Sequence, residues 1–242
     1  MQRQYFKWWS QRLGRDMELL SYGHAGARTL VFPTRCGRFF DYENFGMLEA
    51  VKDRIENGWL QLYCLDSIDQ ETFYCRHAHP ADRLRRHERY EQYILNEVLP
   101  LSERLNPGSF LMAHGCSLGA YHAVNLALRH PERVRKAVAF SGRYALTQSF
   151  PDFPDLLDGY YDELAYFHSP LHFVAGAHEP SHLEKLRGVE LTITVGEFDP
   201  FLESNRMLSA ALANKSIEHR LHVWQRRAHC PRSWEQMSRL YL

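Results

Sequence analysis

The chain has 242 residues, 29 basic against 29 acidic side chains, and hydrophobic and charged shares of 45% and 24%. That balance excludes nucleic acid as the main partner, and no apolar run approaches the roughly 20 residues of a membrane-spanning helix, which excludes the membrane. The length suits one α/β domain, so a single unit over 1–242 is expected.

The N-terminus, MQRQYFKWWSQRLGRDMELL, lacks the apolar stretch of a secretion signal. The five cysteines (Cys36, Cys64, Cys75, Cys116, Cys230) are scattered with no C-x-x-C pair. Both features point to free thiols in the reducing cytoplasm.

Met17 to Tyr22 and Thr29 to Phe32 read as the first strands, followed by the loop Pro33 to Gly37. Leu48, Val51 and Ile55 share a helical face, stopped by Asn57-Gly58. Trp59 to Leu65 reads as a strand. A long helix is expected from about Ala81 to Leu105, disturbed at Pro100, which has no N–H to give, and stopped at Pro107-Gly108. Its basic run, Arg83, Arg85, Arg86, His87 and Arg89, reads as a solvated helix face. Strands are expected at Val134 to Phe140, Glu190 to Val195 and Glu218 to Trp224, and helices at Leu202 to Asn214 and Arg232 to Leu242. Alternation of this kind gives a mostly parallel sheet with helices on both faces. The stretch 144–188 has no clean period and is rich in aromatics. A loop this long inside a compact domain is usually functional, so a short partial cap is expected here, with Tyr160 and Phe167 offering a wall for an apolar or ring-shaped part of a substrate.

The most informative stretch starts at Phe110. Phe110-Leu111-Met112-Ala113 is a short apolar run that enters Gly115-Cys116-Ser117-Leu118-Gly119, a match to G-x-S-x-G, and a small-residue helical face follows at Ala120, Ala123, Val124 and Ala127. Strand, tight turn and helix are the setting of a nucleophile elbow. The two glycines remove side chains that would collide with the neighbouring strand and helix, and the turn aims the Leu118 N–H at the place where negative charge develops on an attacked carbonyl.

A serine hydroxyl needs a neutral imidazole to take its proton and a carboxylate to orient that imidazole. In an elbow fold both follow the serine, in the order acid then histidine, each in a loop at a strand's carboxyl end. Gly196-Glu197-Phe198-Asp199-Pro200 leaves one strand and nominates Asp199, with Glu197 second. Arg227-Ala228-His229-Cys230-Pro231 leaves the last strand and nominates His229, whereas His219 and His222 fall inside that strand. The second oxyanion N–H comes from the loop after the fold's third strand, here Pro33 to Gly37, which leaves Arg35 and Cys36 open. His178-Glu179-Pro180-Ser181-His182 matches the zinc pattern H-E-x-x-H, but Pro180 belongs in a first helical turn, which puts His178 outside the helix. No metal is expected.

These segments resemble the putative-esterase branch of the α/β-hydrolase superfamily, the group of S-formylglutathione hydrolase, feruloyl esterase domains and mycolyltransferases. The likeness rests on the elbow through Ala123, Ser141-Gly142-Arg143-Tyr144, Asp158-Gly159-Tyr160-Tyr161-Asp162, Gly196 to Glu203, and His229-Cys230-Pro231-Arg232-Ser233-Trp234, which is similar to the family's H-x-W-x-x-W. Pro231 replaces the first tryptophan of that motif, and Cys230 stands where the family often has aspartate. The resemblance implies an α/β-hydrolase fold and hydrolysis of a small-molecule carboxylic ester or thioester without cofactor. Acyl transfer to an alcohol would use the same groups, and a catalytically silent binding protein of the same fold is the alternative from another class.

Overall fold

In the computed structural model, which describes residues 1–108 and 110–242, one eight-stranded sheet carries the chain. Its strands are β1 (Arg3–Ser10), β2 (Arg15–Tyr22), β3 (Ala27–Phe32), β4 (Leu60–Leu65), β5 (Leu111–Cys116), β6 (Lys136–Phe140), β7 (Glu190–Gly196) and β8 (His219–Trp224). They lie in the order β1-β2-β4-β3-β5-β6-β7-β8. β2 runs antiparallel to both neighbours, and every pairing from β4 to β8 is parallel. β3, β4 and β5 are almost wholly buried, as strands covered by helices on both faces must be. Among the described residues no helix is long and apolar enough to cross a membrane.

β1 is absent from the sequence reading. Its residues alternate between exposed and half-buried, with charged and aromatic side chains intermixed, so its apolar face is only Phe6 and Trp8, which pack on the main core. An edge strand of this kind shows no hydrophobic run, and its hairpin partner supplies the order. The turn closes at Gly14, whose φ of 63° suits glycine.

The segment expected as one helix through Leu48, Val51 and Ile55 forms three short ones, Asp41–Asn44, Met47–Ala50 and Lys52–Glu56, because Gly46 at φ 75° and Val51 at φ −122° both leave helical geometry. The long helix is Pro80–Tyr93 and Leu99–Leu105 joined by a π-helical turn at Ile94–Val98. That turn absorbs the carbonyl that Pro100 cannot satisfy.

The basic run on this helix is not a wholly solvated face. Arg83 and His87, four residues apart, turn inward to 2% exposure each, while Arg85 and Arg89 stay outside. Arg83 donates to the Leu156 carbonyl at 3.1 Å and pairs with Asp158, so the inward arginine is compensated.

Further along the same stripe, Glu91 fixes the long helix to the helix that follows the elbow. It accepts from Arg129 Nε at 2.9 Å and Arg129 Nη2 at 2.9 Å, and it bonds His130 Nε2 at 3.0 Å. Burial alone would raise its carboxyl, but the hydrogen bonds and charge of His130 and Arg129 outweigh that and hold it down to about 2, from 4.5. A carboxylate held low in the folded state stabilises above its unfolded value and loses that contribution as pH falls toward the folded one. A lowering from 4.5 to about 2 corresponds to about 3 kcal/mol. Glu91→Gln is therefore expected to cost about 3 kcal/mol at pH 7, a fall in Tm on the order of 10 °C for a chain of this size. Thermal melts should find that cost undiminished at pH 6 and cut to less than half at pH 3. An equal cost at both values would show that Glu91 does not act through its charge.

Candidate active site

The elbow is built by close approach. β5 ends at Cys116, and Ser117 follows at φ 57° and ψ −120°, a left-handed conformation costly for any side chain. The helix Leu118–Arg129 starts at once. A Cβ on Gly115 would strike the Gly119 carbonyl, and a Cβ on Gly119 would strike the carbonyls of Phe32 and Pro33. Glycine at 119 thus lets the helix N-terminus sit against the end of β3, where the Pro33 to Gly37 loop begins.

Ser117, His229 and Asp199 meet in one hydrogen-bonded chain. His229 Nε2 is 3.2 Å from Ser117 Oγ, and His229 Nδ1 is 2.9 Å from Asp199 Oδ2. The Asp199 side chain is fully buried, and its other oxygen accepts from the Phe201 N–H at 2.9 Å. Glu197 is exposed and accepts from the Arg226 N–H at 2.9 Å. It laces the acid loop to the histidine loop and does not approach the imidazole. The two loops also touch at Gly196, where a Cβ would enter the Arg227 carbonyl. Of the other histidines, His114 lies fully buried on β5, donates from Nδ1 to the Val138 carbonyl at 2.8 Å, and is pushed down to about 4 by burial, which keeps it neutral. His219 and His222 are half-buried on β8.

The two candidates in the Pro33 to Gly37 loop differ in their hydrogen bonding. The Cys36 N–H donates to Asp69 Oδ2 at 2.8 Å, and Asp69 Oδ1 lies 3.3 Å from His122 Nε2 on the elbow helix. With the Cys36 N–H engaged by Asp69, of the two candidates only Arg35 has an N–H without a hydrogen-bond partner among the described residues. Arg35 and Leu118 line one cavity of about 370 Å³ together with Ser117 and His229.

Tyr160 and Phe167 do not line that cavity, which corrects the sequence expectation. Tyr160 donates to Asp162 at 2.8 Å and stands edge-on to His79. Phe167 borders a separate surface depression beside Leu128 and Arg129. Both belong to short helices and turns that fold over the elbow and long helices, with Leu156, Leu157 and Ala165 packed on Phe73, Leu84, Leu118 and Tyr121. From the aromatic segment only Phe153 reaches the cavity.

The remaining walls include Tyr74, Phe201, Trp234 and Arg143. Phe201 and Trp234 flank the imidazole at ring distances of 5.8 and 5.3 Å. Trp234 donates to Ser141 Oγ at 3.3 Å, which fixes the closing helix Pro231–Tyr241 against the end of β6. Arg143 carried a usable signal, a cation directly after the carboxyl end of a strand, where sites in parallel sheets gather. Tyr74 and Asp69 carried none, since they sit in turns whose place depends on packing. The H-E-x-x-H match is split as its proline requires. Pro180 opens the helix Pro180–Arg187, Glu179 caps it by accepting from the His182 N–H at 2.9 Å, and His178 lies outside.

A family model described as "Putative esterase" matches residues 42–236. No curated protein matches the sequence. Among solved structures, a ferulic acid esterase superposes with a TM-score of 0.80 at 15% identity, covering 100% of this chain and 96% of its own. An S-formylglutathione hydrolase from Agrobacterium tumefaciens gives 0.72 at 18% identity over 98% of this chain and 91% of that one. A Staphylococcus aureus S-formylglutathione hydrolase gives 0.70 at 15%, over 98% and 94%. At such identities these likenesses speak for the fold, a mostly parallel α/β-hydrolase sheet.

Proposed function

This chain belongs to the putative-esterase family, and we propose that it is a serine esterase acting through an acyl-enzyme on Ser117. The observation that carries this reading is the continuous chain Ser117 Oγ, His229 imidazole, Asp199 carboxylate, with links of 3.2 and 2.9 Å.

His229 Nε2 takes the hydroxyl proton as Ser117 Oγ attacks the acyl carbonyl carbon. Asp199 accepts from Nδ1–H, keeping the bare nitrogen toward the serine and stabilising the imidazolium. The carbonyl oxygen, now negative, receives the N–H groups of Leu118 and Arg35, the first of which also carries the positive end of the elbow helix. The tetrahedral species collapses, the bond to the alcohol or thiol breaks, and His229 hands that leaving group its proton. Water then enters, gives a proton to His229 and its oxygen to the acyl carbon, and Ser117 recovers its hydrogen as the acid departs. No cofactor takes part in this sequence of steps.

A fluorophosphonate probe tests the reading directly. Its phosphorus should bond to Ser117 Oγ, located by peptide mass spectrometry, with loss of turnover on short-chain 4-nitrophenyl esters in proportion to labelling. An unlabelled Ser117 together with no turnover on such esters would point to the silent binding protein instead.

A further inference from the structure

Three arginines are buried among the described residues: Arg28, Arg83 and Arg143, at 6%, 2% and 4% exposure. Two of them are compensated in the usual way, Arg28 by Glu103 and Arg83 by Asp158. Arg143 has no carboxylate within ion-pair reach among the described residues. Its guanidinium is held by backbone carbonyls and by the Phe150 ring, 5.4 Å away: Nη2 donates to Pro154 at 2.8 Å, to Gln148 and, more weakly, to Leu146, and Nε to Ala145 at 3.4 Å. The nearest acid that acts on it is Asp155, and that carboxylate is spent on the N–H groups of Leu157 and Gly159 at 2.7 and 2.8 Å. Carbonyl dipoles orient a guanidinium without cancelling its charge, and a buried charge left without a counter-ion is expensive.

That uncancelled charge forms part of the wall of the cavity that holds Ser117 and His229. Nη1, the one guanidinium nitrogen with no partner among the described residues, is the fork left free for a ligand. Arg35, exposed and likewise without an acidic partner, lies on the same cavity with its guanidinium 5.6 Å from the Tyr74 ring. The cavity lining contains two arginines and no aspartate or glutamate. A pocket of this kind repels cations and offers an anion what the protein itself withholds.

We propose that the substrate is an ester bearing a carboxylate, which docks on the Arg143 guanidinium with Arg35 assisting at the mouth of the cavity. This inference rests on the esterase reading above and adds its substrate class. The anion sits on the acyl or on the alcohol portion, and either placement uses the same arginine.

Two matched ester pairs test it. Mono-4-nitrophenyl adipate against 4-nitrophenyl methyl adipate puts the charge on the acyl side, and 4-acetoxybenzoate against methyl 4-acetoxybenzoate puts it on the alcohol side. In one of the pairs kcat/KM is expected to be at least tenfold higher for the anionic member at low salt, with the preference falling as NaCl rises. Arg143→Gln should erase that preference, and Arg35→Gln should reduce it. The ratio is taken within each protein, so a general loss of activity cancels, and the Arg35 variant keeps the test alive if loss of the carbonyl clamp makes Arg143→Gln unstable. Calorimetric titration of Ser117→Ala protein with monomethyl adipate and dimethyl adipate supplies a readout without turnover, expected to favour the anion at least tenfold. Turnover of the neutral esters with no anionic advantage in rate or binding would overturn the inference and leave the esterase reading intact, with Arg143 reduced to a loop clamp. Selective binding of the monoanion with no turnover of any ester would do the reverse.

Discussion

Changing Ser117 to alanine is expected to lower kcat for any ester by a factor on the order of 10⁶, because the three groups act as one unit and losing the nucleophile removes the whole acyl-enzyme route. What remains is the slow attack of water helped by the oxyanion N–H groups alone. The fold should survive unchanged. Alanine carries the same Cβ into the same left-handed backbone, at φ 57°, and gives up only the hydroxyl's contact with His229. Ser117→Gly separates the backbone cost from the chemistry. It should be as inactive as the alanine variant yet more stable than it by about 1 kcal/mol, since glycine adopts positive φ without strain. Chemical denaturation of the three proteins measures both effects. A glycine variant no more stable than the alanine one would mean that the elbow stores no strain.

Asp199→Asn is expected to reduce kcat by on the order of 10⁴-fold with little change in KM. The direction follows from the second hydrogen bond. The Phe201 N–H donates to Asp199 Oδ1 at 2.9 Å, so in the asparagine the carbonyl oxygen must stay on that side and the amide NH₂ must face His229 Nδ1. Two donors cannot meet, and the imidazole moves its own proton to Nε2, pointing it at Ser117. The base is then already protonated where it has to accept. Glu197→Gln is the matched control. Its oxygen can still accept from the Arg226 N–H, so kcat should stay within a few-fold. A large loss at 197 and a small one at 199 would reassign the acid to the carboxylate nearer the strand end.

Most of the sheet was legible because β3 to β7 are short, mainly apolar runs closed by turn residues, and local pattern decides such strands. β1 was not, since an edge strand with one half-buried face needs no such run. The helix carrying Arg83 and His87 shows the same limit from the other side. A basic run reads as solvated unless one knows that Asp158 and a carbonyl wait on the inner face. The aromatic segment misled for a related reason. Rings between prolines indicate that something is covered, and here Tyr160 and Phe167 turn toward the helices beside the elbow, leaving Phe153 alone at the cavity.

What the sequence determined by itself is the identity and order of the groups with a local signature. An elbow needs its glycines two residues either side of the serine, and the acid and histidine loops must follow strands, so each is written in a handful of neighbouring residues. The tertiary structure alone decided the competitions between distant groups. That the Cys36 N–H is engaged depended on Asp69 reaching it from 33 residues away. The acid that meets the imidazole was settled by the burial of Asp199 and the engagement of Glu197 with Arg226. The arginine left without a counter-ion depended on where the chain's carboxylates ended up. Hydrogen bonds and ion pairs act over a few ångströms whatever the separation along the chain, and spacing in the sequence carries no record of which partner arrives first.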